Sequence, residues 1–328
     1  MILKILFMKN GIGSYGTLQV YFLVIPMSLI AIFLLVISST THAAWNFVSK
    51  REYPSASFFL TSNLLGDLIF VPVIVYYANI IGNFPIEVFG LLLATGFFMA
   101  IYYIGLAGAY RFGDLSVAYP LARSAPVLLV MAVSFLRGNG DQISAHSIYG
   151  IVLVVVGCFL IPLTRLSDFS LKRYITPTCL LALMAACGTA GYSIVDDASL
   201  EILRNMPGSF LNPFQSSLIY IGLQGFTTSL IMGALILIRQ NERRLFAEVI
   251  GRKKRKAFLT GLVVRMTYIL VLTSMAFVND ISYVVTFRQF SIIVGTLMGI
   301  FILKEPAHKT KLMGVIIVFV GLILVGLG

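Results

Sequence analysis

The sequence has few charged residues for its length. Asp, Glu, Lys and Arg make up 11% of its 328 residues, hydrophobic residues make up 59%, and the mean hydropathy is +0.95. A water-soluble domain cannot bury so much apolar surface, so the composition predicts a chain whose solvent is lipid. At about 20 residues per span, the length allows roughly ten membrane crossings with short connections.

Cysteine is also scarce. Cys158, Cys179 and Cys187 all lie in apolar runs, which predicts neither a disulfide framework nor a zinc site. The sequence has no HExxH motif and no P-loop, which argues against a metalloprotease and against ATP hydrolysis by this chain. We therefore expect no metal ion, no cofactor and no enzyme activity. An integral membrane enzyme and a non-transporting channel or scaffold are the alternatives to a transporter.

Ten apolar runs follow one another along the chain, bounded by charges, prolines or Gly-Asn turns. Each is long enough for a helix to cross the hydrocarbon core, and none alternates as the strands of a membrane barrel do. The sequence therefore predicts an all-α integral membrane protein with ten transmembrane helices after a short N-terminal segment, 1–19. The predicted spans are 20–42, 57–80, 88–110, 114–136, 147–164, 174–196, 214–238, 257–278, 281–303 and 311–328.

Basic residues are distributed unevenly between the two ends of these spans. The connections after the odd-numbered spans hold 17 of the 24 Lys and Arg residues, which predicts that these connections are cytoplasmic and that both termini lie outside. The most basic stretch, between Arg239 and Lys256, is expected to contact anionic lipid headgroups. A single aromatic residue, Phe246, lies among its charges, which is too few for a base-stacking surface, so we expect no nucleic-acid binding.

The second half of the chain repeats features of the first at a shift of 165 residues. After a slip of one residue, two glycines seven residues apart also align. Five spans per half is an odd number, so the second half enters the membrane from the opposite side, as in many secondary transporters. The sequence thus predicts two inverted five-helix repeats, 20–164 and 165–328. The aligned residues are Thr95-Gly96 with Thr260-Gly261, Tyr103 with Tyr268, Arg123 with Arg288, and Gly150 and Gly157 with Gly314 and Gly321.

Several motifs resemble those of the drug/metabolite transporter (DMT) superfamily, EamA type. The resemblance covers nearly the whole chain and implies ten helices in two inverted repeats around a central cavity, with secondary transport of metabolites and often export. One departure is Arg137, where the first repeat of this family often carries Glu. The motifs are Thr41-His42-Ala43-Ala44-Trp45-Asn46-Phe47, the stretch from Gly113 to Arg123, Gly191-Tyr192-Ser193-Ile194-Val195-Asp196, and Leu303-Lys304-Glu305 followed by Gly314 and Gly321.

Four charged residues lie well inside predicted spans: Asp67, Arg123, Arg265 and Arg288. From the helical rise they lie about 12–20 Å from the cytoplasmic edge of the membrane. Each costs at least about 2.5–3.5 kcal/mol at a helix centre, so each should face protein, water or substrate. Three arginines against one carboxylate favour a site for an anionic group. Alternatively, Asp67 pairs with one arginine while the others bond helix-end carbonyls or reach towards the interface.

Further cavity-lining candidates follow from helical spacing and from the motifs. Tyr119 shares a helix face with Arg123, and Trp45, Asn46, Tyr192 and Tyr268 complete the expected substrate-binding set. Asp67 is either a structural partner or the carboxylate that couples transport to a proton or an ion.

These features together predict a secondary transporter of the bacterial cytoplasmic (inner) membrane. It is expected to export a small metabolite, amino-acid-like or otherwise anionic, by alternating access, as a monomer or a homodimer.

Overall fold

The computed structural model describes residues 27–49, 55–112, 115–170, 175–207, 211–302 and 304–328. The described chain is helical through all of its apolar runs. Its α-helices are α1 (Leu29–Ser49), α2 (Ala56–Asp67), α3 (Val71–Tyr76), α4 (Ala78–Ile81), α5 (Ile86–Phe112), α6 (Leu115–Leu136), α7 (Ala145–Leu160), α8 (Pro177–Arg204), α9 (Pro213–Ile236), α10 (Gln240–Glu248), α11 (Lys254–Ser274), α12 (Ile281–Phe287), α13 (Phe290–Phe301) and α14 (Lys309–Leu327).

The helices are long and apolar enough to make this an integral membrane protein. Seven helical runs meet both requirements: Ala56–Tyr76, Ile86–Ala109, Pro177–Arg204, Pro213–Ile236, Gln240–Phe277, Ile281–Phe301 and Lys309–Leu327. Three shorter apolar helices, Leu29–Ala44, Leu121–Leu136 and Ala145–Leu160, lie where the sequence predicts further spans. The predicted helical class is therefore confirmed, with seven candidate spans in the described chain.

Polar residues fix where several helices begin. Ser144 and Thr176 accept hydrogen bonds from the backbone amides of Ser147 and Cys179 at the starts of α7 and α8. Asn212 and Gln215 exchange hydrogen bonds in a capping box before α9. Each of these contacts satisfies an amide that the first helical turn leaves unpaired.

Two apolar runs are not continuous α-helices. A 3₁₀ turn, Leu68–Phe70, separates α2 from α3 directly after Asp67, and Pro72 follows it. In the penultimate run α12 ends at Phe287 and α13 begins at Phe290, so Arg288 stands at the break. A charged residue thus lies at each break: Asp67 ends α2, and Arg288 lies between α12 and α13, where backbone groups are freed from the helical ladder.

The two halves of the chain pack against each other through small residues. α5 packs extensively on α8, and α7 on α14. A Cβ atom added to Gly150 would come 2.6 Å from the carbonyl oxygen of Gly321, and one added to Gly157 would come 2.7 Å from that of Gly314. The four glycines of the aligned repeat therefore form the contact between α7 and α14, which places these backbones in direct contact.

The basic segment after α9 is helical and lies beside the start of α2. It consists of α10 and a π-helical turn, Val249–Lys253, that leads into α11. Ser57 Oγ donates a hydrogen bond to the backbone carbonyl of Glu242 at 2.9 Å, and Val249 packs with Phe58 and Ala257. The segment is thus attached to the helices on one side and presents its basic residues on the other.

Candidate functional site

The break between α12 and α13 brings Arg123 and Arg288 together. The carbonyl oxygen of Arg288 accepts a hydrogen bond from Arg123 Nη2 at 3.3 Å, and the same nitrogen donates to Ser291 Oγ. Ser39 of α1 also donates to the Arg288 carbonyl, at 3.5 Å. Arg123 therefore uses one of its hydrogen-bond donors on a carbonyl at a helix end, as the structural alternative for these arginines expects. The same contact fixes the position of Arg123 beside Arg288.

Aromatic rings surround the guanidinium group of Arg288. Its Nη2 donates to the Tyr192 hydroxyl at 3.1 Å, and its Cζ lies 5.9 Å from the centroid of the Tyr192 ring and 5.6 Å from that of Tyr268. The two rings meet edge to face with centroids 5.7 Å apart. Cation–π attraction holds the arginine without neutralising it.

Both arginines keep unused hydrogen-bonding capacity. Arg123 Nε and Arg288 Nη1 are buried nitrogen atoms that lack a partner within the described residues. The ion pairs found in that part of the chain also leave both arginines without a carboxylate. Each side chain remains partly exposed although it lies between helices, and His42 of α1 lies within electrostatic range of both. Two positive charges with free donors can bind an anionic oxygen.

Arg265 and Asp67 form a separate, enclosed ion pair. Arg265 Nε lies 2.6 Å from Asp67 Oδ1, and its directed hydrogen bond runs from Nη2 to Oδ2 at 3.2 Å. Ser229 adds a longer hydrogen bond of 3.4 Å, and both ionic side chains are almost wholly buried. Asp67 therefore has a structural partner, and the guanidinium group of Arg265 is already bound to it. These two predicted site residues contact each other rather than Arg288.

Three predicted site residues have side chains outside the described part of the structure. Trp45 and Asn46 belong to α1 and Tyr119 to α6. Their assignment to the substrate site stays a prediction.

Asp196 is a buried carboxylate that ends one of the family motifs but was not among the predicted site residues. It accepts hydrogen bonds from Thr95 at 2.6 Å, Tyr220 at 2.8 Å and Tyr268 at 2.5 Å. Gln224 Nε2 lies 2.8 Å from each of its oxygens. The predicted span ended at residue 196, whereas α8 continues to Arg204, so Asp196 lies well inside the helix. Asp196 and Asp197 follow an apolar run. A predicted span that continued to Arg204 would have counted Asp196 among the charged residues inside the membrane.

Metal binding has no support from the arrangement of these side chains. In the part of the chain that can be described, no group of three or more His, Cys, Asp or Glu residues is placed to hold a metal ion. The site can bind a ligand through hydrogen bonds and charge. It contains the guanidinium groups of Arg123 and Arg288, each with an unpaired donor, together with several tyrosines and the carboxylate of Asp196.

Comparison with solved structures shows that the fold of this chain occurs in another protein. One crystal structure, described only as that of a protein, aligns with 90% of this chain and 96% of its own at a TM-score of 0.60 and 12% sequence identity. At that identity the likeness concerns the fold alone. No curated protein matches the chain in sequence.

Comparison with protein families shows which family the chain belongs to. The model of the Sugar_transport family, described as sugar transport protein, matches residues 54–328. This is a DMT-like family of membrane transporters, and the match covers most of the chain, including the arginine centre and Asp196. The chain therefore belongs to the sugar transport protein family of membrane transporters.

Proposed function

We propose that this protein is a secondary transporter for a small anionic sugar derivative, with Arg123 and Arg288 at the centre of its substrate site. The observation that carries the proposal is the pair of arginines, brought together by direct contact, each with a buried donor that no described residue satisfies. The family suggests a sugar, and the unpaired positive charge favours one that bears a carboxylate or a phosphate. An amino acid would present the same carboxylate.

The proposal includes ten transmembrane helices in two inverted repeats, 20–164 and 165–328, as in the DMT superfamily and its EamA-type members. Helix contacts support it. A Cβ added to Gly261 would overlap Ser62, and one added to Gly96 would overlap Thr227. The two contacts are related by the same shift of 165 residues that relates Arg123 to Arg288. Glycines paired across α7 and α14 follow the same symmetry.

Alternating access follows from that symmetry. Arg123 comes from the first half and Arg288 from the second, so rocking one half against the other opens the arginine centre to one side at a time. The break between α12 and α13 supports this role, because interrupted helices with freed backbone groups are common at the centre of such carriers. We place the protein in the bacterial cytoplasmic membrane.

Contact with anionic lipid headgroups between Arg239 and Lys256 is part of the same proposal. The segment is fixed to α2 through Ser57 and Val249, while Arg243, Arg244 and Arg252 are exposed or half-exposed on its outer side. Each basic residue near an anionic surface contributes about 1 kcal/mol of attraction.

Transport by purified protein in liposomes tests the substrate site. Radiolabelled glucuronate, glucose 6-phosphate, glutamate and glucose would be offered from outside, and preloaded vesicles would measure the predicted export. We expect saturable transport of an anionic probe. Substituting Arg123→Gln or Arg288→Gln should reduce that transport at least about tenfold, since each removes a charged hydrogen-bond donor. Arg165→Gln, at an exposed position outside the α-helices, is the matched control and should have no effect.

Different outcomes of this experiment separate the alternatives. Undiminished anion transport in both arginine variants would contradict the proposed site. Flux that does not saturate would favour a channel, and the absence of flux for every probe would favour a non-transporting scaffold or an enzyme.

A further inference from the structure

Asp196 is a carboxylate buried among neutral hydrogen-bond donors. It is 0% exposed, and three neighbouring helices supply its partners: Thr95 from α5, Tyr220 and Gln224 from α9, and Tyr268 from α11. Asp67 has Arg265 to balance its charge, whereas no described cation forms an ion pair with Asp196. A buried ion without a counter-ion is held only by hydrogen bonds, so a single proton changes its energy strongly.

The titratable groups that face this carboxylate are tyrosines. Tyr268 approaches from α11 and Tyr220 from α9, while α5 contributes the neutral Thr95. Tyr192 lies one turn earlier on α8 itself. Arg288, from the break between α12 and α13, lies over the Tyr268 ring. None of these tyrosines carries charge near neutral pH, so the proton on Asp196 is not set by a direct ionic partner.

The hydrogen-bonding shell contains a ready partner for the protonated form. Gln224 Oε1 is a buried oxygen with no hydrogen-bond partner in the described chain, while the nitrogen of the same amide faces Asp196. Turning the amide presents this oxygen to a protonated Asp196 as an acceptor. Tyr220 has an alternative as well, since Ser199 Oγ lies 3.3 Å from its hydroxyl. Gln224 can therefore donate to the ionised carboxylate through its nitrogen and accept from the protonated acid through its oxygen.

Tyr268 connects this carboxylate to the arginine centre. Its hydroxyl donates to Asp196 Oδ2 at 2.5 Å, and its ring lies 5.6 Å from the Arg288 guanidinium carbon. Tyr192, which accepts the hydrogen bond from Arg288, packs on the same ring. A proton on Asp196 removes a negative charge close to Arg288, which then binds an anion more tightly. An anion on Arg288 favours the proton by the same factor.

The geometry points to Asp196 as the site of the coupling proton, bound together with the anionic substrate and linked to Arg288 through Tyr268. One proton adds to the carboxylate to give the neutral acid when the carrier loads, and the same proton leaves when it unloads. This inference rests on the proposed transport function and assigns its coupling to Asp196 rather than to Asp67.

The first test needs no substrate. Infrared spectra of the protein in liposomes would be recorded across a pH titration, following the carbonyl band of protonated carboxylic acids. We expect a band that appears as the pH falls and is missing from Asp196→Asn. An unchanged titration in that variant would overturn the inference. Asp141→Asn, at an exposed position, is the control and should leave the titrating band in place.

The second test uses radiolabelled glucuronate as the probe. With Asp196→Asn, which imitates the protonated form, we expect exchange of internal for external probe to continue while accumulation driven by a pH gradient is lost. Retained accumulation would overturn the inference, and so would the loss of both activities in a variant whose melting temperature equals that of the wild type. Failure of the wild type to carry the probe would count against the proposed function for this anion, while the infrared titration still decides the proton site.

A conservative variant tests the link to Arg288. Tyr268→Phe removes the hydroxyl that contacts Asp196 but keeps the ring beside Arg288. The apparent KM for the probe should then lose most of its pH dependence, whereas a merely structural role of the hydroxyl would shift KM equally at every pH. The latter result would overturn the role of Tyr268.

Discussion

Removing one member of the Asp67–Arg265 pair should destabilise the protein unequally, depending on which member is lost. Asp67→Asn leaves Arg265 charged and buried, because arginine does not give up its proton in proteins. Breaking a buried ion pair in this way costs about 3–5 kcal/mol. Arg265→Gln leaves a carboxylate that can bind a proton and become neutral while keeping Ser229 as a partner, so we expect a smaller loss of about 1–3 kcal/mol.

The double variant Asp67→Asn/Arg265→Gln measures the pair itself. It removes both charges at once and should cost less than the sum of the single variants, with a coupling energy of at least about 2 kcal/mol. Equilibrium unfolding in mixed detergent micelles, followed by the loss of helical circular dichroism, supplies the three free energies.

A partly exposed ion pair supplies the control for this cycle. Lys311 Nζ lies 3.4 Å from Glu305 Oε2, and both side chains are partly exposed. Lys311→Gln should therefore change the free energy of unfolding by no more than about 1 kcal/mol. Single variants of the buried pair that cost as little as this control, or that combine additively, would refute the structural role assigned to Asp67.

Two further substitutions test the helix contacts and the arginine centre. Gly157→Ala places a Cβ 2.7 Å from the Gly314 carbonyl oxygen and should lower the free energy of unfolding by about 1–3 kcal/mol. Gly295→Ala meets no atom within 4 Å and should be neutral, so equal effects in the same unfolding assay would contradict this packing. Tyr192→Phe keeps the ring beside Arg288 but loses the hydrogen bond from its Nη2. The KM for the anionic probe should then change about tenfold, and an unchanged KM would argue against a role for this hydroxyl in orienting Arg288.

The positions of the helices could be predicted from the sequence, because the length and apolar composition of each run determine where a membrane helix forms. Ten apolar runs were predicted, and each coincides with a helical segment, although only seven of those segments have the full length and composition of a span in the described chain. The repeat register aligned Arg123 with Arg288, and these two residues are in contact in the structure. The register also aligned the glycines of α7 with those of α14, and these glycines are in contact as well.

Pairings between distant helices could not be read from the sequence. The predicted depths in the membrane are similar for Asp67, Arg123 and Arg265. Depth alone therefore does not decide which arginine pairs with Asp67. Its choice of Arg265 depends on how closely α2 and α11 approach, which Gly66 and Gly261 permit. The break at Arg288 was not anticipated, because neither proline nor glycine marks it in the sequence.

Under the coupling proposed for Asp196, the buried charges favour one class of substrate. Around the arginine centre Asp67 and Arg265 cancel, which leaves two positive charges on Arg123 and Arg288 and one negative charge on an ionised Asp196. Loading one proton and one singly charged anion leaves that total unchanged, so the empty and loaded carriers move the same charge during reorientation and face the same electrostatic barrier. A doubly charged phosphate ester would need a second proton. Among the described residues, the other buried carboxylate without an ion pair, Asp280, contacts Ser134 and the amide of Ser282 rather than the tyrosines around Arg288. A sugar acid therefore fits better than a sugar phosphate. In a membrane with an inwardly directed proton gradient, coupled loading of this kind would drive uptake. It therefore argues against the export that the resemblance implies, and the preloaded vesicles of the transport assay decide between the two directions.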